Sequence, residues 1–476
     1  MPIEEADQIV AAPSLVRAMR FRDVVLFLII TGFSVRWIAN ASVAGPSAAV
    51  VWIGACLVFY IPLVFTVLEL SSRYPDEGGI YVWTKQAFGG FSGFITGWTY
   101  WTSNLPYFPG ILYFMAANAL YLGGTHGRTL AASPAYFVLA STLALGLAVG
   151  LNVVGLNVGK WLHNIGALGM WLPTVILVAL SAVVWARFGS ATAFTRASFV
   201  PGTHLKDVIF WSTVAFSLSG AESASMLGDE IENPRYTLPR ALLLAGLIIP
   251  LIFIVGTLGV LVALPPDHVT IISGFMDAIT IFTARLHVGW IAVLCAALIT
   301  AGAIGQCGAW LAASARLPFV AGIDRYLPPA FGRLHPRWGT PHVSLLVLGA
   351  ISVVFIVLSQ IGTGVSGAYN VMVSVAVITY FIPYLFMFAA AIRLQNRPMP
   401  PGAFRVWGGR PVATLLAVVG FTATAVSCVL SLIPDPSDPN PILSFTKVAG
   451  LTAVTVAIGV ILYLMGAARA HQTPRE

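Results

Sequence analysis

Charge is what this chain has least of. Only 9% of its 476 residues are Asp, Glu, Lys or Arg, against about a quarter in ordinary soluble domains, and this excludes a water-soluble globular protein. Cysteine is nearly absent too: Cys56, Cys295, Cys307 and Cys428 all fall inside apolar runs, which leaves neither a disulfide framework nor zinc-ligand spacing. The eight histidines are scattered, with no two-histidine helical pair, and no metal is assigned. No phosphate-cradling glycine loop of the Walker type occurs, so no nucleotide and no other cofactor is expected. No two ionisable side chains in the apolar segments have nucleophile–base spacing, so an enzyme is not expected. The formal charge of +7 is spread over short loops, unlike the clustered basic face of a nucleic-acid-binding protein. Glu4, Glu5 and Asp7 precede the first apolar run, which has no cleavage-site context; a retained, cytoplasmic amino terminus is expected.

What is present is hydrophobicity, 58% of the chain, in runs of about 20 residues that suit a bilayer and not a soluble core. Twelve spans are predicted, at 24–45, 48–70, 92–122, 134–154, 163–186, 207–228, 240–264, 286–313, 343–360, 366–393, 411–433 and 444–466. The fold class is an all-α integral membrane protein of the cell (inner) membrane, in contact with lipid. Starting inside, eighteen Lys and Arg fall in cytoplasmic segments. Only six, Arg128, Arg187, Arg196, Lys206, Arg285 and Lys447, fall outside. That bias puts both termini in the cytoplasm. The remaining cation, Arg36, lies within the first span.

Two spans carry polar interruptions: the first at Thr31-Gly32-Phe33-Ser34 and the sixth at Ser217-Leu218-Ser219-Gly220, with Glu222 just beyond. A carboxylate at mid-membrane depth costs at least about 2.5–3.5 kcal/mol and usually lines a cavity. Each interrupted span opens a block of five, and because five is odd the blocks have opposite orientation, the pattern of inverted-repeat transporters. The predicted organisation is a cytoplasmic segment 1–23, a first repeat 24–186, a second repeat 207–393, two further spans in 411–466 and a tail 467–476.

Four stretches carry a family resemblance. Glu69-Leu70-Ser71-Ser72-Arg73-Tyr74-Pro75-Asp76-Glu77-Gly78-Gly79-Ile80-Tyr81 follows the second span. Gly220-Ala221-Glu222-Ser223-Ala224-Ser225 leads to Glu230, Asn233-Pro234 and Pro239-Arg240-Ala241. Ser314-Ala315-Arg316-Leu317-Pro318 runs on to Asp324-Arg325-Tyr326-Leu327-Pro328-Pro329, His335-Pro336 and Thr340-Pro341. Phe404-Arg405-Val406-Trp407-Gly408-Gly409-Arg410-Pro411 joins the tenth and eleventh spans. In this order they resemble the amino acid-polyamine-organocation (APC) superfamily, and the last stretch is similar to its glutamate–GABA antiporter and polyamine-uptake branches. The resemblance implies a LeuT-like fold of five plus five inverted spans with broken helices 1 and 6. It also implies carriage of an amino acid or related amine.

A half-helix start offers unpaired N–H groups and partial positive charge to a carboxylate, and unwound carbonyls suit an ammonium group. The substrate carboxylate is therefore expected at Gly32, Phe33 and Ser34, and its amino group at the carbonyls from Phe216 through Ser217 to Ser219, beside Gly220. The Gly/Ser pair also reads as a close helix-packing site. Arg36, about 18 Å into a core about 30 Å thick, reads as a fixed cation that meets an anionic substrate group or neutralises Glu222. A shifted span with Arg36 at the outer interface is the other reading. Glu222 resembles a candidate proton carrier of the arginine–agmatine exchangers, or else makes an inter-helix hydrogen bond. Where many relatives carry a fifth-span lysine, alignment on Asn164 places Met170, which favours exchange or facilitated movement. Phe216 and Trp310 stand at gating positions of that branch or simply pack the bundle. Ser103 and Asn104 of the third span are further substrate contacts, with an inter-helix bond the alternative for Asn104. Glu69, Arg73, Asp229, Glu230, Arg235 and Arg316 form an inner gate or a set of solvated charges. The expected activity is secondary transport by alternating access, with a transporter-like sensor as the alternative and polyamine uptake as the substrate-level alternative. No partner protein is assigned.

Overall fold

A computed structural model describes residues 17–131, 133–324, 326–358, 365–434 and 441–472. Most of the expected amino-terminal segment, the last four residues of the expected tail, Arg325 and the stretch between the ninth and tenth spans lie outside the described residues.

The described residues are helical with no strand. Ten helices are long and apolar enough to cross a membrane: Phe21–Ser42, Ser47–Arg73, Gly90–Gly123, Pro134–Val154, Asn157–Phe188, Pro234–Ala263, Trp290–Gly322, Val373–Leu394, Gly409–Leu432 and Pro441–Ala468. Two shorter apolar helices, Asp207–Ser217 and His342–Val357, take the places of the sixth and ninth predicted spans. The eighth span differs most from expectation, running Trp290–Ile323. A separate helix Gly274–Arg285 precedes it, because His287 turns the chain at φ +58°, a left-handed conformation that no helix continues through.

Both expected interruptions are real breaks in the winding. The first span stops at Gly32; Phe33 and Ser34 are extended, and the helix resumes over Val35–Ser42. The sixth span stops at Ser217, passes Gly220 at φ +112°, and continues as a tighter 3-10 turn over Ser223–Glu230. Glycine is required at 220 twice over. Its φ lies where side chains are strained, and a Cβ there would sit 2.8 Å from the Thr31 carbonyl oxygen and 3.1 Å from the Gly32 Cα. The two breaks therefore touch, and Thr31 Oγ1 and Ser223 Oγ bridge them at 2.7 Å.

Small residues bring other spans as close. A Cβ on Gly305 would meet the Gly166 Cα at 2.4 Å, and one on Gly169 would meet the Leu298 carbonyl oxygen at 2.4 Å, so the fifth and eighth spans pack backbone to backbone. The first span is the interior rod of the bundle, with 89% of its apolar window buried, whereas the last span has 11% and lies on the periphery.

Candidate functional site

Where the breaks meet there is a hollow between the first, third, sixth, eighth and tenth spans. It is lined by Gly32, Phe33, Ser34, Ser103, Asn104, Phe216, Ser217, Ser219 and Trp310, as expected, and also by Thr31, Trp37, Tyr107, Gln306 and Tyr380. The hollow is narrow, with a cavity volume of about 20 Å³. Aromatic rings cause the narrowing: Phe216 lies edge-on to Trp37 and to Tyr380 at 5.6 Å each, and Trp310 edge-on to Tyr380 at 5.8 Å. Phe216 and Trp310 thus close the hollow from two spans.

The polar groups facing this space are under-used. Ser34 Oγ, Gln306 Oε1 and Trp310 Nε1 are buried without a hydrogen-bond partner among the described residues. Buried polar atoms are rarely left so, and three around one hollow mark a place for a polar guest. The backbone adds more. The N–H groups of Ser34, Val35 and Arg36 have no acceptor, and the carbonyls of Ser217, Leu218 and Ser219 have no donor, among the described residues. One expectation is corrected here: the Phe33 N–H is spent on the Ile29 carbonyl at 2.9 Å and Gly32 is still helical, so the free donors begin at Ser34. Likewise the Phe216 carbonyl already accepts from Ser219. Gly220 is not a wall residue; its N–H donates to the Tyr384 hydroxyl oxygen at 3.1 Å.

Gln306 was not singled out by the sequence reading. Its amide donates to the carbonyls of Ile30 and Phe33 at 2.7 and 2.8 Å, replacing hydrogen bonds that the break in the first span removes. A lone amide in an apolar run was the available signal.

Glu222 lies behind Tyr380, wholly buried. Its Oε1 accepts from Tyr100 at 2.6 Å and Tyr380 at 2.5 Å, and its Oε2 accepts from Tyr384. Tyr380 and Tyr384 are one helical turn apart, which places both hydroxyls on one face. Arg36 is 4% exposed, so a solvent-facing Arg36 is corrected. It also makes no ion pair with Glu222, so neutralisation of that carboxylate is corrected as well. Its guanidinium carbon lies 4.3 Å from the Trp37 ring centroid and 4.7 Å from that of Tyr107. Ser103 and Asn104 both bond the Tyr100 carbonyl of their own helix, so the inter-helix bond considered for Asn104 is absent among the described residues and its oxygen remains for the hollow. Among the described residues no group of three His, Cys, Asp or Glu is placed to hold a metal ion.

Comparison with known proteins fits this geometry. Residues 19–458 match the family described as amino acid permease. The chain belongs to the amino acid permease family. It is 30% identical over 425 residues to an uncharacterized transporter of Legionella pneumophila, covering 88% of this chain and 90% of the relative. It is 22% identical to a probable agmatine/putrescine antiporter of Lactococcus lactis, over 93% and 92% of the two chains. To a glutamate/gamma-aminobutyrate antiporter of the same organism it is also 22% identical, over 88% and 85%. The permease is a multi-pass membrane transporter and not an enzyme.

One end of the permease holds a set of buried charges. Arg316 donates to both Glu230 oxygens at 2.8 Å and lies 3.6 Å from Glu77, whose other oxygen accepts the Asp229 N–H at 3.0 Å. Burial and the neighbouring Glu230 hold the Glu77 carboxyl well above the usual carboxylate range. Arg73 pairs with Glu69 at 3.2 Å, both buried. Asp229 and Arg235 are exposed, so the expected cluster divides: Glu69, Arg73, Glu230 and Arg316 are interior ion pairs, joined by Glu77, and the other two are solvated charges. Met170 is fully buried against the eighth span.

Proposed function

We propose that the permease moves an amino acid by alternating access, as an exchanger or facilitator. The carboxylate would rest on the N–H groups of Ser34, Val35 and Arg36, and the ammonium group on the carbonyls of Ser217, Leu218 and Ser219, with Asn104 and Ser103 beside the side chain. What supports this most is the pairing of free backbone donors on one broken helix with free backbone acceptors on the other, across a hollow whose Ser34, Gln306 and Trp310 polar atoms lack partners. A zwitterion satisfies both sets at once. In this reading 24–186 and 207–393 are two five-span units of opposite orientation. Phe216 and Trp310 are the rings that part for substrate, and the Arg316–Glu230–Glu77 cluster closes the cytoplasmic end. The end assignment follows the loop-charge bias, and the membrane is the cell membrane. Glu222 would couple substrate movement to the tyrosine hydroxyls around it.

The test is counterflow in proteoliposomes with a radiolabelled panel of amino acids and polyamines, with binding measured alongside. Amino-acid uptake that requires an internal pool is expected. Binding without counterflow would make the permease a sensor and sink the transport cycle described here.

A further inference from the structure

Arg36 has no structural reason to be charged. Its guanidinium is buried, makes no ion pair with any described carboxylate, and its Nε has no acceptor among the described residues. The residue also sits in the first turn of the half-helix that starts at Val35, where the helix dipole already presents positive charge and disfavours a cation. The flat faces of Trp37 and Tyr107 hold it, which offsets part of its desolvation but leaves the N–H edge of the guanidinium without an anion. Both rings line the hollow. The buried acid of the site, Glu222, is committed to three tyrosine hydroxyls. A buried, unpaired cation beside a binding site is a standing electrostatic cost that an anionic guest removes.

We propose that Arg36 selects a substrate with a second carboxylate, an acidic amino acid, over its amide and over carboxyl-free amines. This rests on the amino-acid reading above: one carboxylate takes the free N–H groups of Ser34 to Arg36, the ammonium takes the opposite carbonyls, and the remaining carboxylate meets the guanidinium fork. The amide has nearly the same shape but brings no charge and sets an NH₂ donor against a donor. A diamine brings cations to both ends.

The test measures initial counterflow of radiolabelled L-glutamate, L-glutamine and putrescine, each against its own internal pool, in the unaltered permease, Arg36→Gln and Arg36→Lys. In the unaltered permease kcat/KM for glutamate should exceed that for glutamine by about tenfold or more, the value of one charge-assisted hydrogen bond. Arg36→Gln should bring that ratio close to one while glutamine counterflow persists, and Arg36→Lys should retain part of it. Equal rates for acid and amide in the unaltered permease, a preference for putrescine, or a ratio that survives Arg36→Gln would each overturn the assignment and leave transport standing. Counterflow of no panel compound overturns both readings. If Arg36→Gln fails to fold, the ratio in the unaltered permease and in Arg36→Lys still decides.

Discussion

Arg316 shows at the scale of one residue why these helices carry charge inside. Two buried carboxyl groups face one guanidinium, and among the described residues neither Glu77 nor Glu230 has another cation within 4.0 Å. Removing the shared partner leaves Glu230 buried without its cation and Glu77 without its neighbour, and breaking a buried pair costs about 3–5 kcal/mol. Arg316→Gln should therefore lower the melting temperature of the purified permease far more than Glu77→Gln, which keeps Glu230 paired. A thermal scan of the two variants checks this, and similar midpoints would argue against it. Residue types of this kind are legible in a sequence. Glu222, Arg36 and Arg316 stand out because an ionisable group in an apolar segment is costly. Their partners are not legible: Tyr100, Tyr380 and Tyr384 converge on Glu222 from two spans far apart in the chain, and nothing local to any of them says so.

At the scale of an element, the broken helices depend on a contact between backbones. Gly220→Ala places a Cβ against the Thr31 carbonyl oxygen at 2.8 Å and on a φ of +112°. Gly89→Ala meets an equally awkward φ of +94° in open space. Both carry backbone strain of about 1–3 kcal/mol, but only the first must push the first and sixth spans apart. Gly220→Ala should lose substrate counterflow as well as stability, whereas Gly89→Ala should lose stability alone. Counterflow per folded molecule separates the two, and equal loss in both would show that strain, not helix approach, is at work. The breaks were legible because Gly and Ser interrupt apolar runs. Which N–H groups they free was not, since the Phe33 N–H reaches back to Ile29 and moves the donor set one residue along.

At the scale of the whole molecule, the ion-paired end ties the chain to itself. Ala18 and Met19 donate their N–H groups to the Glu230 carbonyl at 3.0 and 3.1 Å, and Glu232 returns one to the Met19 carbonyl at 2.9 Å. The segment before the first span is thus stapled to the loop that holds Arg316, and opening this end has to disturb both. The raised Glu77 carboxyl gives the closure a pH sign. The closed form holds a proton that a solvated Glu77 releases, so its stability is fully present below the ordinary value of 4.5 and is lost as pH rises through the shifted value. The melting temperature of the unaltered permease should fall over that rise relative to Glu77→Gln, which lacks the Glu77 proton. Parallel pH profiles for the two proteins would rule out this linkage.

The sequence by itself determined that the chain lives in a membrane and where two of its apolar helices come unwound. Each of these follows from local composition: run length against bilayer thickness, and small or polar residues that weaken a helix where they stand. Only the tertiary structure decided what the unwound segments do. It set Gly220 on Gly32, gave Gln306 to the carbonyls freed at Ile30 and Phe33, and separated Arg36 from Glu222 by giving one to aromatic faces and the other to phenol hydroxyls. Those outcomes depend on which spans come to lie side by side, and apolar helices of similar hydropathy do not announce their neighbours.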